Sequence, residues 1–225
     1  MLQIRPPHEK QQAIAHVRMF GDLPTRTLTA IAELATLQRA GKGHTFYFPE
    51  TTSEVIYILL EGVVNQYRIH WDGKKIITAT LQPQACFDTT SLLDDGLHHN
   101  FAEARGEVLV LSLHHMAFKR ILIEHPQLLL HMLAETQGRL SAVEEKLEGI
   151  AFKKLPGRIG QLLLTLAAQN DGQRIVGYTH QEIAELVGTY RETATQALNE
   201  FKARGYIAID RKRIDILNAE PLGVA

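Results

Sequence analysis

Residues Thr179 to Ile207 read THQEIAELVGTYRETATQALNEFKARGYI. Inside this stretch Arg191, Glu192 and Gln196 carry the chemistry of base recognition. An arginine pairs bidentately with guanine O6 and N7, a glutamate accepts from cytosine N4, and a glutamine pairs with adenine. Thr179, His180, Gln181, Thr189, Tyr190 and Thr193 add short polar groups of the kind that grip backbone phosphates. An arginine beside a glutamate on a helix is ordinarily only a solvated face, so the element presenting them decides the reading.

A second stretch, CFDTTSLLDDGLHHNFAEA, runs from Cys86 to Ala104 and offers ligand chemistry. His98 and His99, with His114, His115 and Cys86, are the residues that could hold a metal or an anion. Adjacent histidines on an extended chain point to opposite faces, so His98 and His99 do not chelate together. A protonated histidine attracts an anion. Asp88, Asp94 and Asp95, however, bring negative charge into the same segment. The single cysteine excludes an internal disulfide and a cysteine-only cluster. Without a basic neighbour its thiol is expected to be inert. There is no Ser/His/Asp arrangement, glycine-rich phosphate loop or apolar carboxylate pair, so an enzyme is not expected.

The recognition residues need a scaffold, and the sequence supplies one. Thr179 and Glu182 form a capping box that starts a helix of roughly eight residues. Its inner face is Ile183, Ala184, Leu186 and Val187. Gly188 permits a tight turn, and Thr189 with Glu192 offers a second box for a helix of about twelve residues, packed through Ala194, Ala197, Leu198 and Phe201. This is a helix-turn-helix pattern, with Tyr190, Arg191, Glu192, Thr195 and Gln196 left outside the packed face. GYIAIDRKRIDIL then predicts two short strands around Arg211-Lys212, a wing.

Upstream, residues 8–40 read as helix, with Leu28, Ile31, Leu34 and Ala35 on one face, ended at Gly41 and Gly43. The period then changes to two. TFYFP, VIYILLEG, VVNQYRIHW, KKIITATL and VLVLSL predict an antiparallel β-roll, with Asp72-Gly73 as the clearest hairpin turn. HHMAFKRILIEH is a short helix stopped near Pro126. A long helix follows from Gln127 to about Phe152. Leu129, Leu133, Thr136, Leu140, Val143, Leu147 and Ile150 recur at alternating spacings of four and three. This is a narrow a/d seam that asks for the same helix of a second copy. FKKLPGRI marks a hinge, with Pro156 in the first turn of the next helix.

Composition agrees with a soluble, cytoplasmic chain. Of 225 residues, 45% are hydrophobic and 22% charged, an ordinary balance for a globular protein. No stretch approaches a membrane span, and the N-terminus is too polar for a signal peptide. Net charge is −1 overall, but residues 151–225 carry ten basic and eight acidic side chains. That is a mild bias toward a nucleic-acid partner.

Helix, β-roll, long helix and winged helix-turn-helix, in that order, resemble the Crp/Fnr family of bacterial transcription regulators. HPQLLLHMLAETQGRLSAVEEKLEGIAFKKLPGRIGQLLLTLA resembles the family's dimer helix and hinge without a gap. HQEIAELVGTYRETATQAL resembles its helix-turn-helix. The resemblance implies an α+β fold with three parts. They are a cyclic-nucleotide-binding-like jelly roll with an N-terminal helix (residues 1–125), a dimerisation helix (126–152) and a winged helix-turn-helix (153–225). It implies a homodimer on a palindromic, TGTGA-like double-stranded DNA site, with Arg191 and Glu192 at base-reading positions. Gln196 stands where a third reader is often arginine. RNA polymerase is the implied protein partner.

In the family's cyclic-nucleotide members a Gly-Glu…Arg-Ser cassette binds the ligand. Here Asp88 stands at the glycine, Thr89 at the glutamate, His99 at the arginine and Asn100 at the serine. Val143 and Glu144 stand at the adenine-contact pair. With the arginine gone, cyclic AMP is not the expected effector, and four missing cysteine ligands exclude the family's iron–sulfur type. Asp88 and Thr90 occupy the ligand positions of the haem-sensing members, which argues against that site. Control by an effector other than cyclic AMP, or constitutive activity, is expected. The alternative is a ligand- or haem-sensing module that still binds a cyclic nucleotide or acts through protein docking.

Overall fold

A computed structural model describes residues 7–92, 96–170 and 172–224; Asp94 and Asp95 lie outside them. The chain forms two compact units. One holds the described residues up to Tyr67 together with Ala79–Arg139, the other Arg68–Thr78 with Leu140 onward.

The first unit opens with α1 (Pro7–Ala15), a 3-10 turn (Arg18–Phe20) and α2 (Thr25–Leu34). The expected single helix over 8–40 is therefore corrected. Gly21 and Pro24 interrupt it, proline because it removes a donor and fixes φ. Ala35 then turns extended at φ −82°, ψ 150°. Thr36–Ala40 becomes β1, because its five residues pair antiparallel with Val108–Ser112. Tertiary pairing overrides local helical periodicity there. Leu34, expected on the inner face, is exposed.

The roll follows as β2 (Thr45–Tyr47), β3 (Val55–Glu61), β4 (Val64–Ile69), β5 (Lys75–Leu81), β6 (Cys86–Phe87), β7 (Phe101–Ala104) and β8 (Val108–His114). Two four-stranded sheets result, in the orders β1-β8-β3-β6 and β2-β7-β4-β5. Strand β8 explains its own unbroken apolar sequence. Val108 and Val110 join Tyr47, Leu59, Val64, Phe87 and Ala102 in one core. Leu109, Leu111 and Leu113 face the opposite way, onto Phe20, Ile31 and Phe118 in another. With both faces covered, no position on β8 before His114 is free to be charged.

Helix α3 (His115–Glu124) and the long α4 (Gln127–Phe152) come next. Of α4 only Leu128 is buried. Leu129, Leu133, Leu140, Val143, Leu147 and Ile150 are each 49–65% exposed. Thr136 is exposed too, its hydroxyl donating to Met132 O at 2.8 Å. The a/d seam is a continuous apolar stripe that this chain leaves uncovered.

The second unit contains α5 (Leu155–Ala168), β9 (Arg174–Val176), α6 (His180–Val187), α7 (Arg191–Ala203), β10 (Ile207–Asp210), β11 (Arg213–Ile216) and α8 (Glu220–Val224). Its core is Ile159, Leu163, Ile183, Ala184, Ala194, Leu198, Phe201, Ile207, Ile214 and Leu222. The wing has three strands, ordered β10-β11-β9, rather than the two expected. Ile175 on β9 pairs Ile214. Three residues bounded by glycine-containing turns are too short to announce a strand.

Candidate nucleic-acid interface and effector segment

Helix α6 begins as its sequence requires. The Thr179 hydroxyl accepts from Glu182 N at 3.2 Å, and the Glu182 carboxylate accepts from Thr179 N at 2.8 Å. Each end of this capping box satisfies a backbone donor that the helix leaves free. Gly188 ends the helix in the left-handed region at φ 72°. Glycine adopts that conformation without the penalty of a Cβ. The expected second capping box is not formed. The residue capping α7 is Tyr190, and it makes no side-chain cap. Thr189 instead closes the turn by donating its backbone N–H to Ala184 O at 2.9 Å.

Helix α7 buries Ala194, Ala197, Leu198 and Phe201, and the two alanines let α6 and α7 approach closely. The opposite face carries Arg191, Glu192, Thr195, Gln196 and Asn199 along one open depression. Arg191, Thr195 and Asn199 are spaced by four, so they share one ridge. Asn199 was missed from sequence; its i+4 spacing from Thr195 was the available signal. His180 Nδ1 lies 3.1 Å from Thr195 Oγ1, tying the start of α6 to α7. Burial, then the neighbouring Arg191 charge, pushes His180 below its ordinary value. Both causes disfavour the imidazolium, so His180 is neutral near pH 7. Gln181 donates to Glu185 at 2.8 Å, and Thr193 is exposed.

The β4–β5 hairpin lies in the same unit as these helices. Tyr190 Oη donates to Asp72 Oδ2 at 2.7 Å, Lys74 Nζ sits 5.5 Å from the Tyr190 ring centre, and Lys75 Nζ is 3.7 Å from Glu185 Oε2. Ile76 packs on Gly188, where an added Cβ would meet its Cδ1 at 2.8 Å. Asp72 also receives the Lys74 N–H, and these bonds hold it well below the usual carboxylate range. Hydrogen bonds to the charged form always act in that direction. A hairpin acid on the residue that starts α7 is not deducible from sequence, since the two lie 118 positions apart.

The effector segment is built around a buried pair. Asp88 takes a left-handed conformation, φ 64°, at the position where the resemblance puts glycine. Its Oδ1 is 2.5 Å from His98 Nε2, and both residues are almost wholly buried. The His98 ring stacks on Tyr47 at 4.1 Å between centres and 8° between planes. Its Nδ1 lies 3.2 Å from Thr51 Oγ1. Burial pushes the Asp88 carboxyl up, opposed by the hydrogen bond and charge of His98. Burial likewise raises the Tyr47 phenol to about 12.

The two histidines face opposite ways, as strand geometry demands. His98 points inward and His99 is exposed. Thr89 and Thr90 sit half-buried in a 3-10 turn, with Thr90 Oγ1 buried and without a hydrogen-bond partner. Asn100 is half-buried; Val143 and Glu144 are exposed on α4. The residues present do not fit a cyclic phosphate. The buried imidazole is spent on Asp88, and His99, at the arginine position, is exposed to solvent.

Two residues before Asp88, helix α4 grips β6. The Cys86 N–H is shared by the two Glu135 carboxylate oxygens at 3.1 and 3.2 Å. Arg139 donates to both Cys86 O and Glu135. The Cys86 thiol is buried and pushed up to about 12, chiefly by burial. A thiol held protonated in this way is inert. Among the described residues no three His, Cys, Asp or Glu side chains converge to hold a metal, and no helix is long and apolar enough to cross a membrane.

Comparisons with known proteins fall on both parts. Residues 157–223 match the model of the Crp-like helix-turn-helix domain, and residues 37–125 that of the cyclic nucleotide-binding domain. The chain is 30% identical over 192 residues to the global nitrogen regulator of Synechococcus elongatus, covering 81% of this chain and 86% of the relative. It is 27% identical over 217 residues to the CRP-like cAMP-activated global transcriptional regulator of Mycobacterium tuberculosis, covering 94% and 97%. In structure it is similar to a transcriptional regulator of the crp/fnr family from Eubacterium rectale. The TM-score is 0.77 at 20% identity, with 92% of this chain and 98% of the other covered.

Proposed function

Because the chain belongs to the Crp/Fnr family of DNA-binding transcription regulators, we propose that it works as a homodimer that reads a two-fold palindrome through α7. The observation that carries this reading is the solvent-facing row Arg191, Glu192, Thr195, Gln196 and Asn199 on a helix held from behind by buried alanines. Arg191 and Glu192 lie in the first turn, where a recognition helix reaches base edges. Arg191 pairs with guanine and Glu192 with the cytosine of a neighbouring pair, giving a TGTGA-like half-site. Gln196 and Asn199 favour adenine further along the groove. Thr179, His180, Gln181, Thr189, Tyr190 and Thr193 position the duplex through phosphates.

The exposed stripe of α4, Leu129 to Ile150, supports self-association. In a single chain it leaves apolar surface in water, and a parallel copy with the same spacing covers it residue for residue. Two copies set their recognition helices one DNA turn apart, roughly 34 Å. RNA polymerase is the proposed protein partner at a promoter, and the cytoplasm the proposed location. Control comes from an effector other than cyclic AMP, or none is needed. The relative from Mycobacterium is cAMP-activated by name, but the segment that would receive the phosphate here holds its own carboxylate.

Selection of bound sequences from random duplex DNA by the purified protein, with the native mass of the complex, tests the reading. A dimer on enriched palindromes is expected. Enrichment without two-fold symmetry, or enrichment unchanged by Arg191→Ala with Glu192→Ala, would overturn it.

A further inference from the structure

The hydrogen-bond partners of His98 determine how many protons the buried pair holds. The Thr51 hydroxyl donates its hydrogen to Phe48 O at 2.6 Å, so its oxygen can only accept from His98 Nδ1. Nδ1 therefore carries a hydrogen. Asp88 Oδ1 and His98 Nε2, 2.5 Å apart, must share one more, whichever atom holds it. The pair is then neutral as a whole, which burial requires.

Removing the shared proton leaves a buried carboxylate facing the lone pair of an imidazole nitrogen. Asp88 Oδ2 is buried without a partner. The Ser53 hydroxyl is close enough to favour the charged carboxylate, but its hydrogen has Val55 O as acceptor at 3.3 Å. The titratable groups around the pair do not compete for the shared proton. Tyr47 on β2 and Tyr57 on β3 are both raised by burial, and Cys86 on β6 is raised as well. On α4, Arg139 and Glu135 pair with each other.

We infer that the Asp88–His98 pair is a proton-held lock: one proton closes the 86–100 segment in the place where a ligand's anion would otherwise be bound, and its loss opens the segment. The lock has a route outward within its own unit. Cys86, two residues from Asp88, is clamped through its backbone by Glu135 and Arg139 of α4, so opening the segment pulls on the helix that carries the exposed seam. Its effect on DNA rests on the sensor role proposed above for the roll; the lock itself does not.

Two measurements on the full-length protein test the inference. Nitrogen-15 spectra of the histidine rings are recorded from pH 5 to 10, alongside protection factors for the amides of residues 86–100. His98 is expected to keep Nδ1 protonated throughout while Nε2 shifts, and protection is expected to fall at least tenfold with the same midpoint. Asp88→Asn and His98→Gln are expected to flatten that pH dependence. A His98 ring that titrates together with exposed His99, or protection that is independent of pH in the unmodified protein, would overturn the lock without reliance on any variant. Operator affinity is read in the same buffers, with Asp88→Asn as the reference that cancels other titrations. Affinity following the opening supports the coupling. Opening with no change in affinity leaves the lock standing and refutes the sensor role.

Discussion

Tyr190 Oη donates to Asp72 Oδ2 at 2.7 Å, so the residue that starts the recognition helix is held by an acid from the β4–β5 hairpin. The carboxylate sits on a residue assigned to a backbone phosphate, and the two anions compete for one hydroxyl. Asp72→Ala removes the competitor and a repulsive charge. Operator affinity in that variant is expected to rise about 3- to 10-fold, the worth of one hydrogen bond exchanged for another. Fluorescence titration at fixed salt checks it. The gain is expected to disappear in Tyr190→Phe with Asp72→Ala, since no hydroxyl then remains to be freed.

Arg191→Ala is expected to cost about 1–3 kcal/mol of operator affinity and to relax the preference at one base pair. Lys or Arg changes at phosphates instead weaken all sequences alike. Asn199→Ala is expected to lower discrimination at a different base pair, further along α7. Competition between operators mutated singly distinguishes the two residues.

The seam predicts a concentration-dependent assembly. Leu140 lies midway along the uncovered stripe and is 49% exposed in one chain. Leu140→Glu places a charge at the centre of the proposed interface, where it meets its own copy. Sedimentation velocity is expected to show monomer at concentrations where the parent is dimer, with operator binding lost in parallel and the far-ultraviolet spectrum retained. A parent that sediments as monomer throughout would remove the dimer from the reading.

His180 gives a pH dependence with a defined sign. Burial and Arg191 hold its folded value below the ordinary histidine value. The unfolded chain therefore takes up the proton first on acidification. The stability that this residue contributes is complete above about pH 6.5 and is lost as pH falls below that value. Thermal melts at pH 7.5 and 5.5 are expected to differ more for the parent than for His180→Gln, which keeps a polar group beside Thr195 without a titration.

Much of the helix-turn-helix was legible because its signals are local. Thr179 and Glu182 are three residues apart, Gly188 needs only its own backbone, and the buried alanines of α7 recur at helical spacing. The seam of α4 was legible for the same reason. The two failures at the N-terminal end and in the wing have the opposite cause: Thr36–Ala40 and Arg174–Val176 are strands only because β8 and β11 lie beside them. No pattern within five or three residues can show that partner.

The sequence by itself determined the order of the elements, the residues offered to DNA and the loss of arginine at His99. It also placed His98 and His99 on opposite faces. Only the tertiary structure decided which histidine mattered. Thr51, Tyr47 and Asp88 come from three separate segments, and they converge on His98 because β2, the loop before β3 and the turn after β6 meet at the roll's core. A buried ion pair depends on distance and on what surrounds it, and neither quantity exists along a one-dimensional chain.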